Sequence, residues 1–213
     1  KFEPNLSAWE RENFQRNQIN KGLKDSKNED IVIISDIDEI PNLEKIEDNI
    51  KNKILIFKQK LYYFKFNLLY PNYNWFGSKA CRKKHLKDFE WLKYIKNKKY
   101  NLFRLDVLFS KNRYMDVNII ENGGWHFSKV KNEKDIFYLL SNYGEHNEFE
   151  KSGLSINDYK KFINEGILPY DHFVDKKSSI QGKFSKRVKL EKNSENLPDY
   201  LLKNSDKYKE WFD

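Results

Sequence analysis

The amino-acid sequence predicts an α/β protein, in which short apolar strands alternate with amphipathic helices along the chain. The run "IVII" at 31–34 is short, β-branched and wholly apolar, which is typical of a buried strand. The segment before it has the periodicity and the capping signals of a helix. No internal repeat or change of composition divides the 213 residues, so we expect one domain over 1–213.

In the first fifty residues the sequence predicts helix, strand and helix. The helix is expected over 6–24, because Ser7 and Glu10 have the spacing of a capping box and Gly22 falls where a helix would end. The run 31–35 is expected to be a strand covered on both faces of a parallel sheet. The segment "NLEKIEDNI" at 42–50 predicts the next helix.

The middle of the chain predicts further strands. We expect one or two over 54–70, and then a Pro/Asn/Gly loop, a strand and a short helix over 71–95. One or two strands should surround the glycine pair within 113–130, and a helix follows over 133–144.

The last third of the chain predicts two helices separated by a polar segment. Ser155 and Asp158 have cap spacing for the first helix, and the segment 197–212 has a helical pattern. Residues 175–196 are basic and poor in apolar anchors, so we expect a mobile loop, and a solvated charge run would explain its lysines and arginine.

Composition narrows the classes of partner. Lys and Arg number 40 against 32 Asp and Glu, a formal charge of +8, which favours an anionic partner such as nucleic acid, an acidic membrane or a phosphorylated substrate. A Lys- and Asn-rich solvated surface would explain the same charge. The single cysteine excludes an internal disulfide and fits a cytosolic location. No transmembrane segment or signal peptide is recognisable.

Two carboxylates follow the first predicted strand. Ligands of open α/β sheets bind beyond the carboxyl ends of strands, where Asp36 and Asp38 lie. In extended chain, positions i and i+2 point to the same side, and two neighbouring carboxylates repel unless a hard cation such as Mg²⁺ or Mn²⁺ binds them. The alternative is that Asp36 caps the following helix while Asp38 and Glu39 favour its N-terminal dipole.

Several stretches carry a resemblance to a known family. The phrase "SDIDEIP" at 35–41 resembles the D-x-D-E-I-P signature of glycosyltransferase family 17, whose eukaryotic members act as β-1,4-mannosyl-glycoprotein 4-β-N-acetylglucosaminyltransferases. Further similar stretches occur in the same order, and they span nearly the whole chain: "RENFQRNQINKGL" at 11–23, the aromatic segment 62–82, "GGWHFS" at 123–128 and "YLLKNSDKY" at 200–208.

The resemblance implies a fold and a reaction. The fold would be a GT-A-like nucleotide-sugar-binding sandwich with a central, mostly parallel sheet. The reaction would be an inverting transfer of N-acetylglucosamine from UDP-GlcNAc to a glycan hydroxyl, with Asp36 and Asp38 holding Mn²⁺ or Mg²⁺ and the diphosphate. Family members carry a further strand-helix-strand region before the first helix, so the resemblance also implies that this region, and part of the donor site, precedes Lys1.

Four other residues match positions of the family's motifs. His126 would be a further metal ligand or lie near the diphosphate, with Trp125 stacking on a sugar. The alternative is a glycine turn with Trp125 in the core and His126 bonded to backbone. Arg11 and Arg16 match family arginines and would approach phosphate or brace the D-x-D segment, although a solvated helix face would explain them equally.

An inverting transferase also needs a general base for the acceptor hydroxyl. Glu145 and Glu148 are the first candidates and resemble a polar stretch in family members, with Asp116 and Glu121 as alternatives; all four are otherwise ordinary surface carboxylates. Sugars stack on aromatic rings, so Trp75, in a dense aromatic band, is expected to bind substrate together with Glu39.

Two other classes of function compete with the transferase. A Mg²⁺-dependent phosphoryl or nucleotidyl enzyme would use the same carboxylates but would not need "GGWHFS". A basic nucleic-acid-binding domain would explain the charge but leave the D-x-D unexplained. We therefore expect a nucleotide-sugar donor and a glycan acceptor as partners, and no nucleic acid.

Overall fold

The chain is mixed α/β, as predicted. A computed structural model describes residues 8–46, 51–101, 103–107, 109–142, 146–174, 184 and 186–213, without the side chains of Ala8, Trp9, Asn147 and Glu148. The proposed cap at Ser7 therefore lies outside the described residues.

The described elements do not alternate regularly, since six strands follow the first helix before the second helix begins. The helices are α1 (Ala8–Gln18), α2 (Phe89–Tyr94), α3 (Glu133–Asn142), α4 (His146–Ser152), α5 (Ile156–Glu165) and α6 (Asp199–Lys203). The strands are β1 (Ile31–Ile34), β2 (Glu39–Pro41), β3 (Ile54–Phe57), β4 (Gln59–Tyr63), β5 (Leu68–Trp75), β6 (Lys79–Arg82), β7 (Val117–Ile120), β8 (Gly124–Ser128), β9 (Ile167–Leu168), β10 (Val188–Lys189) and β11 (Glu191–Lys192). Short 3₁₀ turns include Ile19–Leu23, Leu43–Lys45 and Leu105–Val107.

Some predicted elements differ in extent. The predicted helix at 42–50 has one 3₁₀ turn, Leu43–Lys45, in its described part. The expected loop after Tyr70 is wrong, because β5 continues through Pro71 to Trp75. Within 175–196, residues 175–183 and 185 lie outside the described residues, and β10 and β11 follow them.

The chain forms two compact units. The first comprises Lys1–Gln59 and Asn74–His126, and the second comprises Lys60–Tyr73 and Phe127–Asp213. The single-domain interpretation of 1–213 stays a prediction.

A four-stranded mixed sheet forms the centre of the first unit. Its order is β1-β6-β3-β7, with β6 antiparallel to both neighbours and β3 parallel to β7. Two of its three pairings are thus antiparallel, so the predicted mostly parallel sheet is wrong. Strand β1 lies at the edge of these four strands, and its side chains alternate: Val32 and Ile34 are buried, while Ile31 is 39% exposed.

Helix α2 covers one face of this sheet. Asp88 caps the helix by accepting from the backbone N–H of Trp91 at 2.6 Å, and Phe89 and Leu92 are buried against β-strand residues such as Val32. Burial of such side chains contributes about 1.5–3 kcal/mol each. Because Lys93 directly follows Leu92, this packing fixes where the lysine lies.

Two of the sequence motifs lie side by side in the first unit. Strand β2 pairs antiparallel with β8, so that Glu39 is opposite His126, Ile40 opposite Trp125 and Pro41 opposite Gly124. The "DEIP" and "GGWHFS" stretches are therefore neighbours, although more than eighty residues separate them in sequence.

The second unit has a helical and aromatic core. Helix α5 begins with the predicted capping box, since Asp158 N–H donates to Ser155 Oγ at 3.2 Å and Ser155 N–H donates to Asp158 Oδ2 at 2.8 Å. Most of the aromatic band on β4 and β5 is core: Tyr62, Tyr63 and Tyr70 are buried. In the described part of the chain, no helix has the length and apolarity that a membrane span requires.

Candidate functional site

The D-x-D residues lie in a turn. After β1, the backbone N–H of Glu39 donates to the carbonyl of Asp36 at 2.9 Å, so residues 36–39 form a β-turn with Ile37 and Asp38 at its corners. The Ile37 side chain is fully exposed. The extended-chain geometry predicted for this segment is wrong, because the chain reverses direction between the two aspartates.

Asp36 lies between two cations. Lys93 Nζ is 2.9 Å from Oδ2 of Asp36, and Arg16 Nη2 is 3.7 Å from Oδ1. Arg16 also pairs with Glu12, one turn earlier on α1. The structure therefore brings Arg16 to the D-x-D turn, where the resemblance placed it, and not to a solvated helix face. Arg11 lies exposed on the same helix.

Asp38 lies against His126. Its Oδ2 is 3.2 Å from His126 Nε2. Burial raises the pKa of Asp38, but the hydrogen bond and charge of His126, together with backbone N–H groups and Lys93, outweigh it, so this pKa lies below its usual value. Asp38 is consequently ionised at neutral pH. His126 is buried, its ring centroid lies 4.6 Å from that of Trp75, and its Nδ1 has no hydrogen-bond partner among the described residues.

Glu39 is the fully buried carboxylate beneath the turn. Its Oε1 accepts from Trp75 Nε1 at 2.7 Å, and its Oε2 accepts from Asp36 N–H at 3.0 Å and from Ser78 Oγ at 3.4 Å. Lys93 Nζ is 3.4 Å from Oε1. A buried carboxylate with these donors fixes the turn, and this geometry argues against the predicted direct contact of Glu39 with substrate.

Gly77 makes room for this arrangement. A Cβ on Gly77 would lie 1.7 Å from Glu39 Oε1 and 2.3 Å from Trp75 Nε1, so only glycine allows the chain to pass here. Trp75 is half-buried and uses its indole N–H to hold Glu39. The predicted stacking of Trp75 and of the half-buried Trp125 on a sugar stays a prediction.

Lys93 is the site residue that sequence reasoning missed. It is 57 positions from Asp36 in sequence, and it contacts Asp36, Glu39 and the carbonyl of Gly77. A signal was present: Lys93 is four positions after Phe89, so it lies toward the buried face of α2. A lysine on an apolar helix face needs a carboxylate partner.

Lys79 supports Lys93 from the neighbouring strand. Its buried Nζ donates to the carbonyl of Lys93 at 2.6 Å and to that of Ile95 at 2.5 Å, which holds the last turn of α2 on β6. Burial, together with the charges of Lys93 and Lys96 and against the opposing charge of Glu39, lowers the pKa of Lys79 from 10.5 to about 7.

The pKa of Lys79 predicts a pH-dependent stability. Between about pH 7 and 10.5 the unfolded chain binds more protons at this lysine than the folded chain does, so the free energy of unfolding rises with pH across that window. The slope should be about 1 kcal/mol per pH unit, or about 2 kcal/mol between pH 7.5 and 9.5.

Urea unfolding of wild type and Lys79→Met at several pH values measures this slope. We expect the slope in Lys79→Met to be lower than in wild type by about 1 kcal/mol per pH unit, and the slope in Lys21→Met, which changes an exposed lysine, to equal that of wild type. Equal slopes in wild type and Lys79→Met would contradict the prediction.

The structure does not bring Asp116 to this site. Asp116 precedes β7, which runs in the same direction as β1. In the register of the sheet, Asp116 is level with Ile31 of β1, three strands away. Asp36 lies beyond the opposite end, about 20 Å away at ordinary strand spacings. Asp116 instead accepts from Asn52 Nδ2 at 2.8 Å. This placement argues against Asp116 as the general base.

The other general-base candidates stay predictions. Glu145 lies outside the described residues, and Glu148 lies in α4 without a described side chain. Glu121 follows β7 and pairs with Lys58 at 2.7 Å. In the predicted mobile loop over 175–196, Lys186 Nζ contacts the buried Asp171 at 2.7 Å.

The donor chemistry of the turn fits a hard divalent cation only in part. Asp36 and Asp38 are two partly exposed carboxylates, the ligand type that Mg²⁺ and Mn²⁺ prefer. Across the described ranges, no group of three or more His, Cys, Asp or Glu side chains could hold a metal ion. The two carboxylates of the turn also have Lys93, Arg16 and His126 as partners, so the predicted cation at this turn stays a prediction.

No family model, curated protein or solved structure matches this chain.

Proposed function

We propose that the chain is a metal-dependent inverting glycosyltransferase that moves N-acetylglucosamine from UDP-GlcNAc to a glycan hydroxyl. The observation that supports this most is the paired arrangement of the two motifs: the turn with Asp36 and Asp38 lies beside the strand with Trp125 and His126. The proposal also gives a reason for the buried Glu39, whose carboxylate accepts hydrogen bonds that hold the acidic turn in place.

The residues of the turn would have separate roles. Asp36 and Asp38 would hold a divalent cation, which when bound with the donor would neutralise charge on the departing UDP. Arg16 and Lys93 would supply further positive charge beside Asp36. His126 would orient Asp38. The base that deprotonates the acceptor hydroxyl would be Glu145 or Glu148.

A UDP-release assay tests the proposal. We expect wild type to release UDP from UDP-GlcNAc with Mn²⁺ and an acceptor glycan, and Asp38→Ala to lose at least about a hundredfold in rate, since it removes a cation ligand that acts in the transition state. Asp25→Ala, at an exposed position of the same unit, is the matched control and should retain wild-type rate.

Two results would contradict the proposal. One is UDP release that is unchanged in Asp38→Ala. The other is hydrolysis of phosphate esters by wild type without any transfer from UDP-sugars, which would support the phosphoryl-transfer alternative.

Chelation with EDTA should abolish UDP release and leave the melting temperature of the apoprotein unchanged.

A further inference from the structure

The first unit carries an exposed apolar loop, which comprises the described residues 96–101, 103–107 and 109–112. Its ends are joined, because the backbone N–H of Lys96 donates to the carbonyl of Asn112 at 2.8 Å. Three large apolar side chains of the loop point into solvent: Phe103 and Phe109 are each 90% exposed and Leu105 is 67% exposed. Exposed apolar side chains concentrated in one short loop are unusual and indicate an interaction site.

The apolar loop has an ordered framework. Residues Leu105–Val107 form a 3₁₀ turn in which Val107 is buried and anchors the loop. Asp106 accepts from Nε and Nη2 of Arg104 at 2.7 and 2.8 Å and lies 3.1 Å from Arg113. Contacts within the loop therefore hold the shape of the turn that carries the exposed side chains.

The charge around the apolar loop is strongly positive. Between 96 and 113 there are six basic residues and one acidic residue, Asp106, which gives a net charge of +5. The basic residues are Lys96, Lys98, Lys99, Arg104, Lys111 and Arg113. Lys98 Nζ and the Arg104 guanidinium each lie 5.9 Å from the Tyr100 ring centroid, so two of these cations contact an aromatic ring of the loop.

We propose that the apolar loop docks the protein on the surface of a bilayer that contains anionic phospholipid. Phe103, Leu105 and Phe109 would enter the boundary between headgroups and acyl chains, while the lysines contact the headgroups. Lysine suits this role because its alkyl stem can lie along apolar surface while the ammonium stays in water. The inference does not depend on the transferase activity.

Co-sedimentation with vesicles tests this inference. Wild type should bind vesicles of phosphatidylcholine with about one-third phosphatidylserine, and should bind pure phosphatidylcholine much more weakly. The double variant Phe103→Ser/Phe109→Ser should bind at least about tenfold more weakly, and Lys98→Gln/Lys99→Gln about 25-fold more weakly. Added salt should weaken the vesicle binding of wild type more than that of the lysine variant, which has fewer charges in the loop.

Two controls separate docking from folding. Tyr138→Ser changes a side chain that is 72% exposed in the second unit and should bind vesicles as wild type does. All the variants should keep the wild-type melting temperature, because the changed side chains are exposed.

Three outcomes would overturn the inference. The first is that the phenylalanine variant binds the anionic vesicles as strongly as wild type does. The second is no vesicle binding together with a wild-type dimer that the phenylalanine variant does not form, which would assign the loop to a second copy of the chain. The third is no vesicle binding together with oligonucleotide binding that both variants lose, which would assign it to nucleic acid.

Discussion

Replacing Glu39 with alanine should lower the free energy of unfolding by about 4 kcal/mol, a large part of the 5–15 kcal/mol that a domain typically has. The loss comes from the partners that remain. Lys93 would have only the partly exposed Asp36 as a carboxylate partner, and the Trp75 indole N–H and the Asp36 amide would lose the Glu39 carboxylate as acceptor. Each buried donor without a partner costs about 1–3 kcal/mol.

Urea unfolding followed by tryptophan fluorescence measures the unfolding of the first unit, to which Glu39 belongs. Four of the five tryptophans, at 9, 75, 91 and 125, belong to the first unit. Glu29→Ala is the matched control, because Glu29 forms exposed ion pairs with Lys84 and Arg82, and such pairs contribute little to stability.

A double-mutant cycle with Lys93→Met separates the ion pair from the other contacts of Glu39. If the unpaired lysine causes much of the loss, Lys93→Met should restore about 1–3 kcal/mol in the Glu39→Ala background. A Glu39→Ala protein that unfolds at the wild-type urea concentration would show that this carboxylate does not hold the turn.

The same contacts explain why the form of the acidic turn was not predictable from local sequence. An extended segment after a strand was the expectation, but the Glu39 carboxylate accepts from Asp36 N–H and the Glu39 N–H donates to the Asp36 carbonyl. These two bonds close a turn. The other partners of the Glu39 carboxylate are Trp75, Ser78 and Lys93, which are distant in sequence, so the local sequence does not show what holds this carboxylate in place.

Strand direction was unpredictable for a different reason. The apolar run of β1 correctly predicted a strand, but a four-residue apolar run has the same appearance in a parallel and in an antiparallel pairing. The direction depends on β6, which inserts between β1 and β3 and is antiparallel to both. By contrast, the start of α5 was predictable, because its capping box involves only Ser155 and Asp158, three residues apart.

Replacing Gly124 with alanine should cost more than about 3 kcal/mol of unfolding free energy, because two separate effects act at this position. Its φ is +127°, a region that residues with a side chain rarely adopt. In addition, an added Cβ would lie 2.1 Å from the carbonyl oxygen of Ile40 and 2.8 Å from the backbone nitrogen of Asn42. Both atoms are main chain, so no rotamer change relieves the contact, and β2 must move away from β8.

Two other glycines of the chain separate these effects. At Gly22 an added Cβ meets nothing within 4 Å, and φ is not positive, so Gly22→Ala should be neutral or stabilise by up to about 1 kcal/mol. At Gly153 the space is also open but φ is +67°, so Gly153→Ala should cost only the backbone strain, about 1–2 kcal/mol. The excess loss in Gly124→Ala then measures the clash with β2.

The Gly124 variant also links the fold to the proposed chemistry. Because β2 begins with Glu39 and directly follows the acidic turn, displacement of β2 should reduce UDP release even at temperatures where the variant stays folded. Gly22→Ala should release UDP at the wild-type rate. A Gly124→Ala protein as stable as Gly153→Ala would refute the close approach of β2 to β8, and with it the pairing that brings "DEIP" beside "GGWHFS".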